Sequence, residues 1–373
     1  MCSGLNGEII FLRLTDVGRK IDLIRASKIF PGIPDKRITK TKDTPSYLDF
    51  PKSLLLELKQ NFNSELSSIN GINLQIKLYE EGVITMITRI NFNELPLEKL
   101  HMIRKTPFST SEGTFTVNSF QKFHFNKLFS QIRLCIEEEG YILGITKYEK
   151  YVLYCLTDEI DDPYNFVEKN KNYLATLLMG ENPDLNLHQN QIDSTLSNAF
   201  SFLKTDYLIF DFDRALIIDP NRDYNDILLI TEIANYQLLE LRTLDYLLDR
   251  RLAIAEEDIR QIYLKRRSFG RRLNRKVGNL SRLQYDFIFI LEKIENVSKL
   301  IGDYYLAQIY SNLSKLFELG HWSDSIRHRL ESVEDIYNIA QTNINERFLL
   351  YVEILLSFVF IMEFIFLILD FFI

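Results

Sequence analysis

The sequence predicts an α+β N-terminal domain followed by an all-α coiled-coil hairpin domain with one C-terminal transmembrane helix. Three observations lead to this fold class. The first half alternates short apolar, β-branched runs with short helical patterns. After residue 223, apolar residues recur at spacings of three and four. The last segment is continuously apolar. We therefore expect an α+β domain at 1–205, a hairpin and helical coiled-coil domain at 206–347, and a transmembrane helix at 348–373.

The first domain is expected to contain two β-hairpins among its strands and helices. In one hairpin, Glu80, Glu81 and Gly82 form the turn; in the other, KYEK at 147–150 does. The four prolines of 31–51 indicate a loop. The expected strands are 8–14, 54–58, 72–79, 83–90, 141–145 and 151–156, and the expected helices are 21–30, 95–103, 120–138 and 163–179.

The second domain is expected to begin with a tight hairpin, YLIFDFDRALIIDP, that links the two halves. Helices are expected at 224–252 and 256–316, and Gln237 fills one core position of the first. A break at Gly320 then precedes a last helix capped by Ser323 or Asp324. The helices around this break are predicted to pair as an antiparallel coiled coil. His321 and Trp322 would lie at the hairpin tip, as packing residues or as a partner contact.

The segment 348–373 matches a membrane span in length and composition. Twenty of its 26 residues are Phe, Leu, Ile or Val, and no Lys or Arg follows Arg347. On an insertion scale the apolar residues sum to roughly −10 kcal/mol, whereas Glu363 near the centre costs about 3 kcal/mol. Glu353 and Asp370 lie closer to the ends and cost less. We therefore expect a tail anchor; the alternative is a buried core helix.

Composition excludes several classes of protein. A net charge of −7 is unlike a basic nucleic-acid-binding domain. Three cysteines and five scattered histidines do not form a disulfide framework or a zinc-ligand pattern. The N-terminus has neither a signal peptide nor an Arg-rich transit pattern. We expect no cofactor and no metal, and a bulk that faces the cytoplasm.

The segment IFDFDRALIID resembles the aspartate motif of haloacid-dehalogenase-type phosphatases. The resemblance implies Asp211 as nucleophile and Asp213 as general acid, with a magnesium ion between them. Arg214 and Ala215 depart from that motif, because a hydroxyl residue is expected just downstream. The alternative is a hairpin whose two acids are solvated.

Residues 250–282 predict a basic amphipathic helix, with eleven Lys or Arg against three acids. Such a helix binds anionic lipid or a nucleic-acid backbone, or is simply a solvated face of a coiled coil. Five arginines form one stripe, which we call the basic stripe: Arg260, Arg267, Arg271, Arg275 and Arg282.

Three features together resemble the required-for-meiotic-nuclear-division family, also called the Sad-interacting-factor family. They are YQLLELRTLDYLLDRRL, the basic helix, and the ending NINERFLLYVEILLSFVFIMEFI, in which Val352, Glu353 and Glu363 match the family pattern. The strand–Gly–strand stretch INLQIKLYEEGVITMI is similar as well. The resemblance implies a protein without assigned catalysis that supports translation at an inner membrane. Because no targeting segment is present, we expect a bacterial inner membrane, with the mitochondrial inner membrane as the alternative.

Three functional hypotheses follow. The first is a non-enzymatic, membrane-anchored scaffold that binds membrane lipids, contacts RNA or a ribosome through the basic stripe, and meets a protein partner or a second copy through its heptad helices. The second is a subunit of a membrane complex that uses Glu363 inside the bilayer. The third is a metal-dependent hydrolase that uses Asp211 and Asp213.

Overall fold

The computed structural model describes residues 4–30, 33–34, 52–59, 62–64, 66–137, 147–264, 288, 291–292 and 303–372. The chain divides into two compact units. The first consists of Met1–Thr243 with Lys293–Gly320, and the second of Leu244–Glu292 with His321–Ile373. The boundary predicted at residue 205 falls inside the first unit.

A large mixed β-sheet forms the centre of the first unit. Its strands are β1 (Leu5–Asp16), β3 (Ile33–Pro34), β4 (Ser53–Lys59), β6 (Ile69–Tyr79), β7 (Val83–Leu95), β11 (Tyr148–Leu156), β12 (Ala199–Phe200), β13 (Tyr207–Phe210) and β14 (Arg214–Ile218). In the described residues the strand order is β12-β13-β14-β11-β1-β7-β6-β4-β3. Neighbouring strands are antiparallel except β11 and β14, which are parallel.

Two small sheets complete the strands. One pairs β2 (Lys20–Ile21) with β10 (Ile136–Glu137), and the other contains β5 (Phe62–Ser64), β8 (Phe108–Thr110) and β9 (Gly113–Phe115).

The hairpin of β6 and β7 has the turn that the sequence predicts. Leu78 pairs with Ile84 across it, and Gly82 has φ +93°. A Cβ atom at residue 82 would lie 1.8 Å from the carbonyl oxygen of Gly18. Only glycine therefore fits this turn, because it tolerates both the positive φ and the close backbone approach.

Helices cover both faces of the sheet. In the first unit they are α1 (Leu23–Ile29), α2 (Val117–Ile132), α3 (Pro163–Lys169), α4 (Lys171–Met179), α5 (Gln189–Leu196), most of the first half of α6 (Asn225–Leu264) and α7 (Tyr304–Leu316), with short 3₁₀ turns at Leu97–Met102 and Arg133–Cys135. Ile76 and Leu78 belong to the apolar core that also contains Phe120 of α2. Because strand side chains alternate, Lys77 points to the opposite face, where it meets α6.

The coarse prediction is confirmed: a sheet-rich N-terminal region is followed by helices. Some finer predictions are wrong. The helix predicted at 120–138 ends at Ile132, and α3 and α4 are separated at Asn170. Tyr148–Lys150 of KYEK belong to strand β11 rather than to a turn, while 141–145 lies outside the described residues. The hairpin of β13 and β14 forms as predicted, but it extends the sheet instead of linking two domains, since β14 pairs with β11.

The helix α6 buries the apolar positions that its heptad spacing predicts. The buried positions are Ile227, Ile230, Ala234, Leu241, Leu244 and Leu248. Gln237 is also buried and accepts a hydrogen bond from the Tyr310 hydroxyl at 2.7 Å. The predicted interruption at 252–256 is absent because α6 continues to Leu264. A single helix over 256–316 is wrong as well: α7 starts at Tyr304, where the Asp303 side chain accepts from the Leu306 N–H.

The last helix, α8, runs without interruption over Leu319–Phe372. The chain turns at Glu318, which has φ +54°, and not at Gly320. Ser323 and Asp324 therefore lie inside α8 instead of capping it. Along this helix Ile326, Leu330 and Val333 are buried, and their spacing of four and three residues is the heptad pattern of an apolar seam. The antiparallel coiled-coil pairing involves residues outside the described part of the chain, so it stays a prediction.

Candidate functional site

The segment Phe348–Phe366 of α8 is apolar and fully uncovered. It is the one helix among the described residues that is long and apolar enough to cross a membrane, with a mean hydropathy of 2.3 over 19 residues and none of its apolar window buried. Glu353 and Glu363 are exposed on it. Asp370 belongs to the same helix, but its side chain lies outside the described part.

Asp211 and Asp213 lie at the turn between β13 and β14. The Tyr151 hydroxyl shapes this turn by donating to the carbonyl oxygens of Asp211 at 2.8 Å and of Arg214 at 2.9 Å. Asp213 is about half exposed (52%), and its carboxylate lies 3.5 Å from the Arg214 guanidinium. Burial raises the pKa of both Asp211 and Asp213 above the usual range.

Arg214 ties this turn to α4. Its guanidinium is buried and donates to the carbonyl oxygen of Leu178 at 3.1 Å, near the C-terminal end of the helix. A cation at that end also interacts favourably with the helix dipole. The guanidinium thus supplies positive charge beside Asp213. In the residues that the structure describes, no group of three or more His, Cys, Asp or Glu side chains is arranged to hold a metal ion.

The other predicted site residues are spread over the second unit. Arg260 lies in α6, but its side chain is outside the described part, as are all of Arg267, Arg271, Arg275 and Arg282. His321 and Trp322 are not at a hairpin tip, since both belong to the first turns of α8. His321 is exposed and Trp322 is partly buried.

The sequence interpretation missed a network of charges buried between the sheet and α6. Lys77 on β6 forms an ion pair with Glu232 on α6, and both side chains are almost completely enclosed. The other carboxylate oxygen of Glu232 accepts from the Tyr79 hydroxyl at 2.7 Å. The ring of Tyr79 packs against Tyr236 with centroids 5.3 Å apart. These contacts fix α6 on the sheet.

A second group of acids lies further along the same helix, where Asp16 at the end of β1 faces Glu240. Burial raises the pKa of Asp16 to about 7, against the opposing effects of the Gly18 N–H and the Lys147 charge. Burial, followed by the charges of Asp16 and Glu81, raises the pKa of Glu240 well above its usual range. The Oε1 atom of Glu240 is buried and has no hydrogen-bond partner in the described residues. Burial therefore favours the neutral form of Glu240, and the pKa of Asp16 lies near neutral pH.

One sequence signal for this network was available. In β6 the polar residues Gln75, Lys77 and Tyr79 alternate with Leu74, Ile76 and Leu78. Alternation of this kind usually marks a solvated face of a sheet. In α6, however, Glu232 and Glu240 lie among apolar positions. Their placement indicates that the helix covers the polar face of β6.

The part of the chain that forms the sheet determines its family. A family model described as "Uncharacterized protein MJ0711, N-terminal domain" matches residues 6–225, more than half of the chain. The chain belongs to this MJ0711 N-terminal domain family. The match spans the sheet from β1 to the start of α6. The uncharacterized protein MJ0711 of Methanocaldococcus jannaschii is similar over 284 residues, at 25% identity, covering 75% of this chain and 77% of the relative. No solved structure matches the chain.

Membership of the MJ0711 family overturns the resemblance to the required-for-meiotic-nuclear-division family. That resemblance rests mainly on the chain from residue 206 onward, on heptad helices and an apolar ending. Apolar periodicity and a hydrophobic helix recur in unrelated proteins, because packing and membrane insertion impose them. The family match instead lies mostly before residue 206. The translation role implied by the overturned resemblance loses its basis.

Proposed function

We propose that this protein is a membrane-anchored scaffold, in which Phe348–Phe366 crosses a bilayer and α8 connects that span to the rest of the chain. The observation that carries the proposal is the complete exposure of this apolar segment. Leaving side chains such as Phe358, Phe360 and Ile361 in water costs roughly 25 cal/mol for each Å² of apolar surface. A bilayer removes that cost.

A bilayer explains the segment better than a single partner helix does. A partner helix covers one stripe, whereas this segment is apolar all round. Five successive positions, Phe358 to Met362, are all apolar and exposed. At 100° per residue they extend around the whole helix. A membrane surrounds every face at once.

The flanking charges favour an orientation with the preceding part of the chain in the cytoplasm. Arg327, Arg329 and Arg347 precede the apolar segment, and positively charged flanks remain on the cytoplasmic side. Residues 319–347 supply about 43 Å of helix before the span begins, at 1.5 Å per residue. A bacterial inner membrane, as inferred from the sequence, stays a prediction.

The contacts of the scaffold come from two sequence features. The basic stripe would supply salt-dependent attraction to RNA, a ribosome or anionic lipid. The heptad positions of the helices would accept a protein partner or a second copy. A related proposal makes the protein a subunit of a membrane complex, because Glu363 lies inside the apolar segment and a polar partner helix would satisfy its carboxyl group.

Membrane extraction tests the anchor. The variant Phe358→Lys/Ile361→Lys/Phe364→Lys adds about 3 kcal/mol of insertion cost per lysine, enough to cancel the apolar gain. We expect the wild-type chain to stay in membranes after alkaline carbonate washing and the variant to appear in the supernatant.

The matched control places the same three lysines earlier on the same helix. Asn338, Thr342 and Asn345 are exposed on α8 before the apolar segment. Asn338→Lys/Thr342→Lys/Asn345→Lys should remain in membranes. Release of the wild-type chain by carbonate, or retention of the Phe358 variant, would show that the segment does not anchor the protein.

A further inference from the structure

On the face of the sheet that packs against α2, two cations lie directly opposite each other on neighbouring strands. Arg13 of β1 pairs in register with Lys150 of β11. Both side chains are partly buried. Like charges at directly opposed positions destabilise a sheet. Their position in the middle of the sheet therefore calls for a compensating negative charge.

Among the described residues, no carboxylate contacts either cation. In the described part of the chain, no carboxylate lies within 4 Å of Arg13 or Lys150. Other cations in the same unit do have acidic partners: Lys77 with Glu232, Arg89 with Glu8, Arg214 with Asp213, and Arg242 with Glu149. The Nε atom of Arg13 is buried and has no hydrogen-bond partner among the described atoms.

Aromatic and amide groups hold the two cations in place. Both cations contact the Tyr148 ring, whose centroid is 4.7 Å from Arg13 Cζ and 4.9 Å from Lys150 Nζ. The Lys150 ammonium also donates to Asn118 Oδ1, in the first turn of α2, at 3.4 Å. Burial, followed by the charges of Arg13 and Arg104, lowers the pKa of Lys150. Tyr148 is about half exposed (47%), so a small ligand can approach.

We propose that Arg13 and Lys150 form a binding site for a phosphate group. A guanidinium fork and an ammonium group are the donors that phosphate oxygens prefer, and an aromatic ring at the edge suits a phosphate attached to a larger molecule. The phosphate is carried either by a soluble compound or by a phospholipid headgroup. Both cations lie within the residues that match the MJ0711 family model.

Thermal unfolding of the full-length protein in detergent micelles shows whether these cations bind a ligand or have only a structural role. Inorganic phosphate is the probe, and potassium chloride matches the ionic strength. We expect phosphate to raise the melting temperature of the wild-type protein, because a ligand that binds only the folded state stabilises it. Lys150→Gln should have a higher melting temperature than wild type without phosphate, since repulsion is removed, and should lose the phosphate response.

A charge-matched control excludes a general effect of lost charge. Lys122 is exposed on α2, so Lys122→Gln should keep the full phosphate response. If phosphate does not raise the melting temperature of the wild-type protein, the proposal of a soluble phosphate ligand is overturned. A Lys150→Gln protein that still responds would overturn the site.

Chemical acylation of Lys150 distinguishes the two phosphate sources and works even if a variant folds poorly. Its lowered pKa predicts rapid reaction of the free protein with acetic anhydride, followed by mass spectrometry. Protection by inorganic phosphate supports a soluble ligand. Protection in phosphatidylglycerol nanodiscs, but not in phosphatidylcholine nanodiscs, supports an anionic lipid headgroup. Protection by neither probe overturns the proposal.

Discussion

Lys77 and Glu232 form an ion pair whose two side chains are 0% and 1% exposed. The pair joins β6 to α6, across 155 residues of sequence. The Tyr79 hydroxyl donates a second hydrogen bond to the Glu232 carboxylate. Removal of two charges from water is costly, and only close pairing with additional hydrogen bonds offsets that cost. The pair therefore fixes the position of α6 more than it adds to stability.

This view predicts unequal effects of single and double substitutions. Lys77→Met leaves Glu232 buried without its cation and should lower the free energy of unfolding by about 3–5 kcal/mol. Lys77→Met/Glu232→Gln should lower it much less, because Gln is neutral and still accepts from Tyr79. Urea unfolding of the full-length protein in micelles, followed by near-ultraviolet circular dichroism, measures both. Equal losses in the two variants would contradict the prediction.

Asp16 predicts a pH dependence of stability. Its pKa is raised to about 7 in the folded protein, above the ordinary value of 3.8. The folded state therefore holds the proton more tightly, so the contribution of Asp16 is fully present below about pH 4 and is lost as the pH rises through 7. The loss amounts to at most about 1.4 kcal/mol per pH unit.

Asp16→Asn removes this titration. The difference in unfolding free energy between Asp16→Asn and wild type should grow in favour of the variant from pH 4 to pH 7 and then level off. Glu57→Gln serves as the control, because Glu57 is an exposed acid on the same sheet. A constant difference between Asp16→Asn and wild type over this pH range would show that Asp16 titrates normally.

Two glycines should respond oppositely to alanine. Gly180 ends α4 with φ +74°, and a Cβ there would lie 1.7 Å from an Arg214 guanidinium nitrogen. Gly180→Ala should lower the free energy of unfolding by more than about 1 kcal/mol. Gly320 lies in the first turn of α8, where a Cβ atom would meet nothing within 4 Å, so Gly320→Ala should raise it by about 0.4–1 kcal/mol. Thermal melts of both variants measure the contrast, and changes of the same sign would contradict it.

Substitutions of Glu363 distinguish a helix that only anchors the protein from one that also binds a partner helix in a membrane complex. If the helix acts only as an anchor, Glu363→Leu should insert more strongly, because a carboxylate in mid-membrane costs about 3 kcal/mol. If a partner helix binds Glu363, Glu363→Leu should abolish recovery of that partner, while Glu363→Gln should retain part of it through hydrogen bonding. Crosslinking in membranes followed by affinity purification measures both. If Glu363→Leu leaves the crosslinks unchanged, the hypothesis of a complex subunit is wrong.

Local signals account for what the sequence predicts correctly. The β6–β7 hairpin follows from strand alternation around Gly82, and the apolar segment of α8 follows from composition. The acids within α6 indicate a covered polar face, but the pairing of Lys77 with Glu232 could not be predicted. The alternation in β6 is typical of a solvated face, and the two residues meet only when α6 packs on the sheet. The same holds for Arg13 and Lys150, whose strands are brought together by the sheet. The break before α7 was missed because Val297, Ile301 and Tyr304 keep the heptad spacing of the sequence across Asp303.

The depth of Phe358 in a bilayer tests the membrane anchor most directly. The chain has one tryptophan, Trp322, so Phe358→Trp in a Trp322→Phe background places a single fluorophore near the middle of the apolar segment. Asn338→Trp in the same background is the control on the exposed part of α8.

Brominated phospholipids report that depth through fluorescence quenching. We predict blue-shifted emission from residue 358, with quenching strongest for bromine near the ends of the acyl chains, and red-shifted emission from residue 338 with little quenching. Emission from residue 358 that is red-shifted and insensitive to every brominated lipid would contradict the membrane-spanning account.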